Sequence, residues 1–221
     1  ATSYTFTGLA VATYTIQIRD KANPTCVISL SATQNITQPA VLSATLAKTD
    51  ITTCFGDSTG TITVSSPTGG NGTYETSRNG TNWFDVSTGS PYTFTGLVAA
   101  TYTIQIRDKA NPTCVVFLAA TQTITQPTAV SGAISSQTNV SCFGDSTGAV
   151  TVAGSGGTSP YTYKIDAGSY GASGTFSGLT AGSHTVTVRD ANLCTQTVAG
   201  TITGPAAALS YAFVTKNDVS C

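Results

Sequence analysis

The chain repeats itself. Tyr4–Pro39 and Tyr92–Pro127 align without a gap at an offset of 88, with 30 identities in 36 positions. A looser third copy starts at Phe176 and runs FSGLTAGSHTVTVRDANLCTQTVAGTITGP. Heads recur as well as tails: Cys54-Phe55-Gly56-Asp57-Ser58-Thr59-Gly60 returns unchanged at Cys142–Gly148, and Asn217–Cys221 begins another copy. Self-similarity at a fixed period is the signature of a tandem array, in which each unit is one small structure joined to its neighbours. The reading divides the 221 residues into the tail of one repeat (1–39), two complete repeats (40–127 and 128–205) and the start of a further one (206–221). Pro39, Pro127 and Pro205 close successive segments. Proline ends ladder pairing and stiffens a joint, and the joints lack the Gly/Ser character of flexible linkers. A stiff rod is expected.

Within one repeat the β signals come at short, regular intervals. Strands are predicted over residues 43–53, 61–65, 74–78, 83–86, 92–94, 101–107 and 114–126. Asn79-Gly80 supplies a hairpin turn, because both residues tolerate positive φ. In Thr101–Arg107 Tyr102, Ile104 and Ile106 alternate with polar residues. About seven short strands in some 80–88 residues fit an immunoglobulin-like or fibronectin-like sandwich. The expected core is Ile62, Val64, Tyr74, Phe94, Leu97, Tyr102, Ile104, Ile106, Val115 and Ile124 in the first full repeat. In the second it is Val150, Val152, Tyr161, Tyr163, Ile165, Phe176, Leu179, Val186 and Val188. Such cores are small, so neighbour contacts or disulfides should add stability. The fold class is therefore all-β: tandem sandwiches in an elongated rod.

Composition narrows the chemistry. Threonine (43 residues), serine (23) and glycine (22) dominate the polar and small residues, which suits strands and turns. Charged residues make only 9%, and nine Lys+Arg against ten Asp+Glu leave a net charge of −1. A phosphate-tracking surface needs clustered positive charge, so nucleic acid is an unsuitable partner, and a polybasic membrane patch is missing. No apolar stretch approaches the roughly 18–20 residues of a membrane-spanning helix, so direct membrane insertion is not expected. With one His (His184) and one Glu (Glu75) the chain is short of general acids and bases. No enzymatic activity and no cofactor are expected. There is no Met, and the chain reads as beginning inside a longer protein.

Several motifs occur in order and more than once. Cys-x-Gly-Asp-x-x-Gly-x-(Ile/Val)-Thr-Val is followed by Gly-Gly-x-x-Pro-Tyr-x-Tyr at Gly156–Tyr163. Then come Phe-x-Gly-Leu-x-Ala-Gly-x-x-Thr-Val-x-Val-Arg-Asp-Ala-Asn-x-Cys at Phe176–Cys194 and a closing Thr-Ile-Thr-x-Pro. This succession resembles the SprB repeat of very large surface adhesins of Bacteroidota, including a gliding-motility adhesin. The first full repeat departs from the pattern at Gly69–Tyr74, where Pro-Tyr gives way to Gly-Thr-Tyr, and at Ala99-Ala100 in place of Ala-Gly. The resemblance implies export by the type IX secretion system and an extracellular or cell-surface location.

Six cysteines, Cys26, Cys54, Cys114, Cys142, Cys194 and Cys221, recur at repeat-related positions. In an exported β protein they read as disulfides. No Cys-x-x-Cys or companion histidine supports a metal site. Pairing within a repeat would join Cys54–Cys114 and Cys142–Cys194. In an immunoglobulin-like fold, however, those two cysteines lie at opposite ends of a sandwich, roughly 25–30 Å apart, whereas a disulfide needs Cα atoms within about 7 Å. The bottom of one sandwich, which holds its first cysteine, faces the top of the next, which holds that repeat's second cysteine, and this favours a Cys54–Cys194 staple, the other cysteines pairing across or beyond the chain. Both pairings stay open here. A third set, Cys26–Cys54, Cys114–Cys142 and Cys194–Cys221, rests on near-equal spacings.

Ser58 and Ser146, in Asp-Ser-Thr, match the sequence on which exported Bacteroidota proteins carry O-glycans. The same residues also make an ordinary Asp/Ser/Gly turn, and a calcium loop would need more carboxylates. The Asn-x-Thr/Ser sites at Asn35, Asn71, Asn79 and Asn139 are expected by chance in a Thr-rich chain. Trp83 with Tyr74 and Tyr92 could stack on sugar rings, but the second full repeat has no Trp. Arg107-Asp108 and Arg189-Asp190 read as strand ends, with Asp opening the turn and Arg solvated. His184 stands where the other copies have Tyr14 and Tyr102. The functional expectation is a repeat segment of a secreted adhesin or extracellular filament with a mechanical stalk role. Its expected partners are neighbouring repeats, identical chains, and external surfaces or polysaccharide. The alternatives are a carbohydrate-binding array or accessory repeats of a secreted hydrolase.

Overall fold

A computed structural model describes residues 3–118 and 121–214. The described residues form strands, turns and loops, without a helix. The N-terminal part holds β1 (Ala12–Tyr14), β2 (Gln17–Arg19), β3 (Val27–Ser29) and β4 (Gln34–Ile36), paired antiparallel as β1-β4 and β2-β3. Then come β5 (Ser43–Thr49), β6 (Gly60–Thr68), β7 (Tyr74–Ser77), β8 (Phe84–Val86), β9 (Tyr92–Leu97), β10 (Ala100–Tyr102), β11 (Gln105–Asp108), β12 (Asn111–Phe117) and β13 (Gln122–Ile124). These make the sheets β5-β6-β9, β12-β11-β7-β8 and β10-β13. The C-terminal part holds β14 (Ser131–Thr138), β15 (Gly148–Ser155), β16 (Thr162–Ile165), β17 (Thr175–Leu179), β18 (Gly182–Arg189) and β19 (Thr195–Ile202), in the sheets β14-β15-β17 and β16-β18-β19.

This order carries the fold class. Six strands lettered A, B, C, E, F and G would give A-B-E in one sheet and C-F-G in the other. That is the partition of an immunoglobulin- or fibronectin-type sandwich. The earlier set repeats it, as A-B-E plus a G-F-C sheet with one further strand. The chain is all-β, in tandem.

Two compact units emerge. One gathers Ala1–Ala47, Thr63–Thr93 and Thr103–Thr121; the other gathers Lys48–Ile62, Phe94–Tyr102 and Gln122–Cys221. In the second, Val140, Val150, Val152, Leu179, Val186, Val188 and Ile202 form a buried cluster, with Tyr161, Tyr163, Ile165 and Phe176 packed on it. The same unit buries Ile51, Ile62, Phe94, Leu97 and Ile124. The first unit buries Leu42, Val64, Val86, Ile104, Ile106 and Leu118.

Three expectations change. The first strand stops at Thr49, since Asp50 turns back to accept the Thr125 amide. Val115 is 39% exposed. It sits opposite Arg107, whereas Val116 sits opposite buried Ile106, and directly paired residues share a face of the sheet. The expected strands 101–107 and 114–126 each divide in two. Tyr102 pairs with Gln122 and Gln105 with Phe117, so between these pairs two residues on one strand stand against four on the other. Two extra residues shift the register as a bulge does. The N-terminal copy shows the same shift, between Tyr14↔Gln34 and Gln17↔Ser29. In the last sandwich β18 and β19 pair residue for residue from Gly182↔Ile202 to Arg189↔Thr195.

Candidate functional site

The β18–β19 hairpin is built on a buried carboxylate. Asp190 is 3% exposed, and its Oδ1 accepts the amides of Asn192 and Cys194, each at 2.9 Å. Its Oδ2 accepts the Thr158 amide at 2.9 Å. Burying a carboxylate is tolerable only when its lone pairs are met in this way. The Gly156-Gly157 pair makes the space: a Cβ on Gly157, which has φ +56, would lie 2.4 Å from Asp190 Oδ2. Tyr161 closes the loop by donating its hydroxyl to the Gly156 carbonyl. Asp108 is built likewise, accepting the amides of Asn71 and Ala110, with Gly69-Gly70 and Tyr74 in the matching places. The Gly-Thr-Tyr departure therefore keeps the tyrosine where the turn needs it.

That hairpin holds Cys194, and Cys194 is bonded to Cys54 with Cα atoms 5.7 Å apart, across 140 residues of sequence. The intra-repeat set Cys54–Cys114 and Cys142–Cys194 is thereby replaced, as are Cys26–Cys54 and Cys194–Cys221. Asn192 reinforces the staple: its Nδ2 donates to the carbonyls of Thr52 (2.6 Å) and Thr53 (3.1 Å) and to Thr158 Oγ1 (3.1 Å). Sequence reasoning did not single out Asn192. The signal was present, since Ala-Asn precedes the cysteine in all three hairpins, at Ala22-Asn23, Ala110-Asn111 and Ala191-Asn192.

The receiving loop is a tight turn. Asp57 Oδ2 accepts the Cys54 amide at 3.0 Å, and Gly56 donates to Gln126 Oε1 at 2.8 Å. Bonding from the Thr53 hydroxyl and then from the Cys54 amide holds the Asp57 carboxyl below its usual range. These bonds make the Asp57-Ser58-Thr59 segment a side-chain-capped turn, with Ser58 exposed at its edge; Ser146 is exposed too. Cys26, Cys114 and Cys142 are exposed and unpaired, while Cys221 lies outside the described residues.

The remaining candidates are structural. Arg107 bonds Glu75 at 2.7 Å and lies 4.2 Å over the Trp83 ring, and Arg189 lies 3.7 Å over Tyr170. Neither arginine is simply solvated, and one face of Trp83 is taken. His184 Nε2 contacts the Thr180 carbonyl four residues back at 3.0 Å, as the hydroxyls of Tyr14 and Tyr102 contact Ala10 and Val98. Its Nδ1 meets Asp166 at 2.8 Å. Among the described residues, no three His, Cys, Asp or Glu side chains gather where they could hold a metal ion. Nor is any helix long and apolar enough to cross a membrane.

The molecule is thus of the tandem β-sandwich class, with a disulfide joining residues of successive sequence repeats. The model of the family described as SprB repeat matches residues 45–75 and 134–169. No curated protein matches the chain. Among solved structures it is similar to the C-terminal 282-residue fragment of intimin in complex with the translocated intimin receptor's intimin-binding domain (16% identity, TM-score 0.36). That match covers 72% of this chain and 64% of the fragment. The three N-terminal domains of the bacteriophage RB49 outer capsid protein Hoc match at 13% identity and TM-score 0.39, over 74% of this chain and 59% of that one. The fibronectin(III)-like modules of Clostridium thermocellum CbhA match at 14% and 0.31, over 77% and 99%.

Proposed function

We propose that the chain is a load-bearing segment of a secreted cell-surface adhesin or extracellular filament, built of the repeats 40–127 and 128–205 with partial repeats at either end. The observation that carries this reading is the Cys54–Cys194 disulfide. A bond that enters one repeat's first loop and leaves through the next repeat's last hairpin puts a covalent route along the chain beside the backbone. A pull arriving at residue 54 passes to residue 194 through sulfur, and the 139 intervening residues are spared. The SprB-repeat match supports a surface-adhesin setting, and type IX export and a part in gliding belong to the same proposal. Low net charge with abundant Thr and Ser suits a hydrated surface that does not repel its neighbours.

Antibody raised against the whole chain and applied to intact source cells tests the location. Label on unpermeabilised cells, or on fibres shed from them, is expected. Label that needs permeabilisation overturns the reading. Movement of surface label along living cells identifies a motility adhesin, and fixed label a static filament.

A further inference from the structure

Two asparagines of the first full repeat are each followed by glycine, as Asn71-Gly72 and Asn79-Gly80. Such a pair is open to attack of the backbone on the side chain, because glycine has no Cβ to shield its amide nitrogen. The fold treats the two pairs in opposite ways. Gly80 donates its amide to Ser77 Oγ at 2.9 Å, and its carbonyl accepts Trp83 Nε1 at 3.1 Å. Asn79 Oδ1 takes three donors: Ser77 Oγ at 3.1 Å, and the amides of Thr81 and Asn82 at 3.0 Å. A Cβ on Gly80 would also lie 3.4 Å from the Gln105 side chain. Nucleophile and target are both occupied there. Gly72 is exposed, and a Cβ on it would meet nothing within 4 Å. Among the described residues, neither the Gly72 amide nor the Asn71 side chain has a hydrogen-bond partner. Gly72 borders an open concavity of about 220 Å³ with Tyr74, Asp85 and Lys109, so water reaches it.

We propose that Asn71 is a modification site, which converts without an enzyme to isoaspartate while Asn79 is preserved. The Gly72 amide nitrogen gives its proton to water and attacks Asn71 Cγ. The new carbon–nitrogen bond closes a succinimide ring, and the side-chain nitrogen takes up a proton and leaves as ammonia. Water then adds to the main-chain carbonyl carbon of residue 71 and breaks its bond to the Gly72 nitrogen. The chain now runs through the former side chain, and the old main-chain carbonyl is left as a carboxylate. Opening at the other ring carbonyl gives ordinary aspartate. Overall one water is consumed and one ammonium is released, with no change of oxidation state.

The change falls on a contact that shapes the repeat. The Asn71 amide donates to the buried Asp108 carboxylate at 2.7 Å, and Gly70 beside it donates to the Ala40 carbonyl at 2.9 Å. Isoaspartate sets its free carboxylate on the same Cα as that amide, facing Asp108. Two like charges so close disfavour each other's ionised form. The turn that opens the hairpin at Asp108 is therefore loosened while the chain stays whole. The second full repeat is exempt. Thr158 stands in the place of Asn71, with its amide on Asp190 Oδ2 at 2.9 Å, and threonine has no carboxamide to convert. One of the two full repeats thus carries a slow, irreversible mark of age. The proposal does not rest on the stapled reading.

The whole chain is aged in warm, mildly alkaline buffer, both folded and in urea, then reduced and cut with trypsin. Arg78 lies between the two sites, so Asn71 and Asn79 fall on different peptides. Mass spectrometry reads the amide-to-acid mass gain, and fragmentation tells isoaspartate from aspartate. In the folded chain Asn71 should convert about tenfold faster than Asn79, because Gly80 must first leave its bonds. In urea the two should convert alike, since glycine follows each. Ser77→Ala should speed Asn79 and leave Asn71 unchanged. Hydrogen exchange at the amides of residue 71 and Ala110, both bonded to Asp108, should quicken in the converted chain, while those of Thr158 and Asn192 stay as they were. Equal rates at the two sites in the folded chain overturn the proposal. So does an Asn71 that converts in urea but not when folded. Unchanged exchange at residue 71 and Ala110 overturns the effect on the turn.

Discussion

The hairpins at Asp108–Cys114 and Asp190–Cys194 answer the same structural problem with different outcomes. Each opens with a buried aspartate that collects backbone amides, and each has a Gly-Gly pair giving the carboxylate room. In the second the ladder behind it is unbroken over eight pairs, and the tip is fixed by Asn192 and by the bond to Cys54. In the first the ladder shifts by two residues between Phe117 and Gln122, and Cys114 is unpaired. The difference teaches that the cysteine hairpin is a self-sufficient connector. Its shape comes from local carboxylate–amide bonding, so it survives a break in the strands behind it and stands formed before any partner arrives.

The largest way to break the comparison is through sulfur. Cys54→Ser frees the 140-residue span that the staple shortens. In single-molecule stretching, the span between residues 54 and 194 should lengthen by about 480 Å at roughly 3.4 Å per residue. The same substitution should lower resistance to denaturant by about 2–5 kcal/mol, since a long closed loop restricts the unfolded chain most. Cys142→Ser should change neither reading in the isolated monomer. Equal effects from the two substitutions would mean that the two loops are not differently occupied.

The next effect lies in the carboxylates. Asp190→Ala leaves three amides without their acceptor inside the fold, and should cost about 3 kcal/mol. Asp108→Ala releases two and should cost less. The discriminating measurement is reduction: Asp190→Ala should make Cys54–Cys194 open at a lower dithiothreitol concentration, because Asn192 and Cys194 lose their fixed positions. If Asp190→Ala destabilises the chain but leaves the reduction midpoint unmoved, the carboxylate supports the sandwich rather than the staple. Gly157→Ala forces a Cβ to 2.4 Å from the same carboxylate at positive φ, and should act in the same direction.

Much of this was legible in the residues. The alternation in Thr101–Arg107 continues through the break, with Ile104 and Ile106 buried and Tyr102 half-buried. The strand lengths were not, because period-2 patterning fixes which face a residue takes and leaves the partner strand unspecified. The two-residue surplus could have been counted, since Cys114 and Pro127 are 13 apart but Cys194 and Pro205 only 11. Val115 was misplaced for the same reason: its parity depends on the register opposite Ile106. Of the site, the cysteines announced themselves by repetition, and Cys54–Cys194 was the pairing that strand-end geometry favoured, with the intra-repeat set and the equal-spacing set left open beside it. Asn192 went unremarked because an asparagine in a turn ordinarily bonds its own loop. Only the folded chain shows its amide spent on carbonyls 139 and 140 residues away.

The smallest effect separates the copies by pH. His184 takes the place of Tyr14 and Tyr102, and keeps their bond to the carbonyl four residues back. Unlike tyrosine, it titrates near neutrality. Hydrogen bonding to Asp166 first, and to the Thr180 carbonyl second, raises its pKa above the ordinary 6.5, against a smaller opposing effect of burial. The folded chain therefore binds the proton more tightly than the unfolded one. The stabilisation is complete below about pH 6.5, declines as pH rises, and is gone once the pH has passed the raised folded value. Asp166 contributes in the opposite window. Its carboxyl is held below the usual range by the Thr185 amide and then by His184, so its share is present above about pH 4 and is lost on strong acidification. Denaturant melts from pH 5 to pH 8 should show a shallow fall in stability that His184→Tyr removes while keeping the carbonyl bond. An unchanged slope in His184→Tyr would place the dependence elsewhere in the chain, and the tyrosine-to-histidine difference between the copies would then have no consequence for stability.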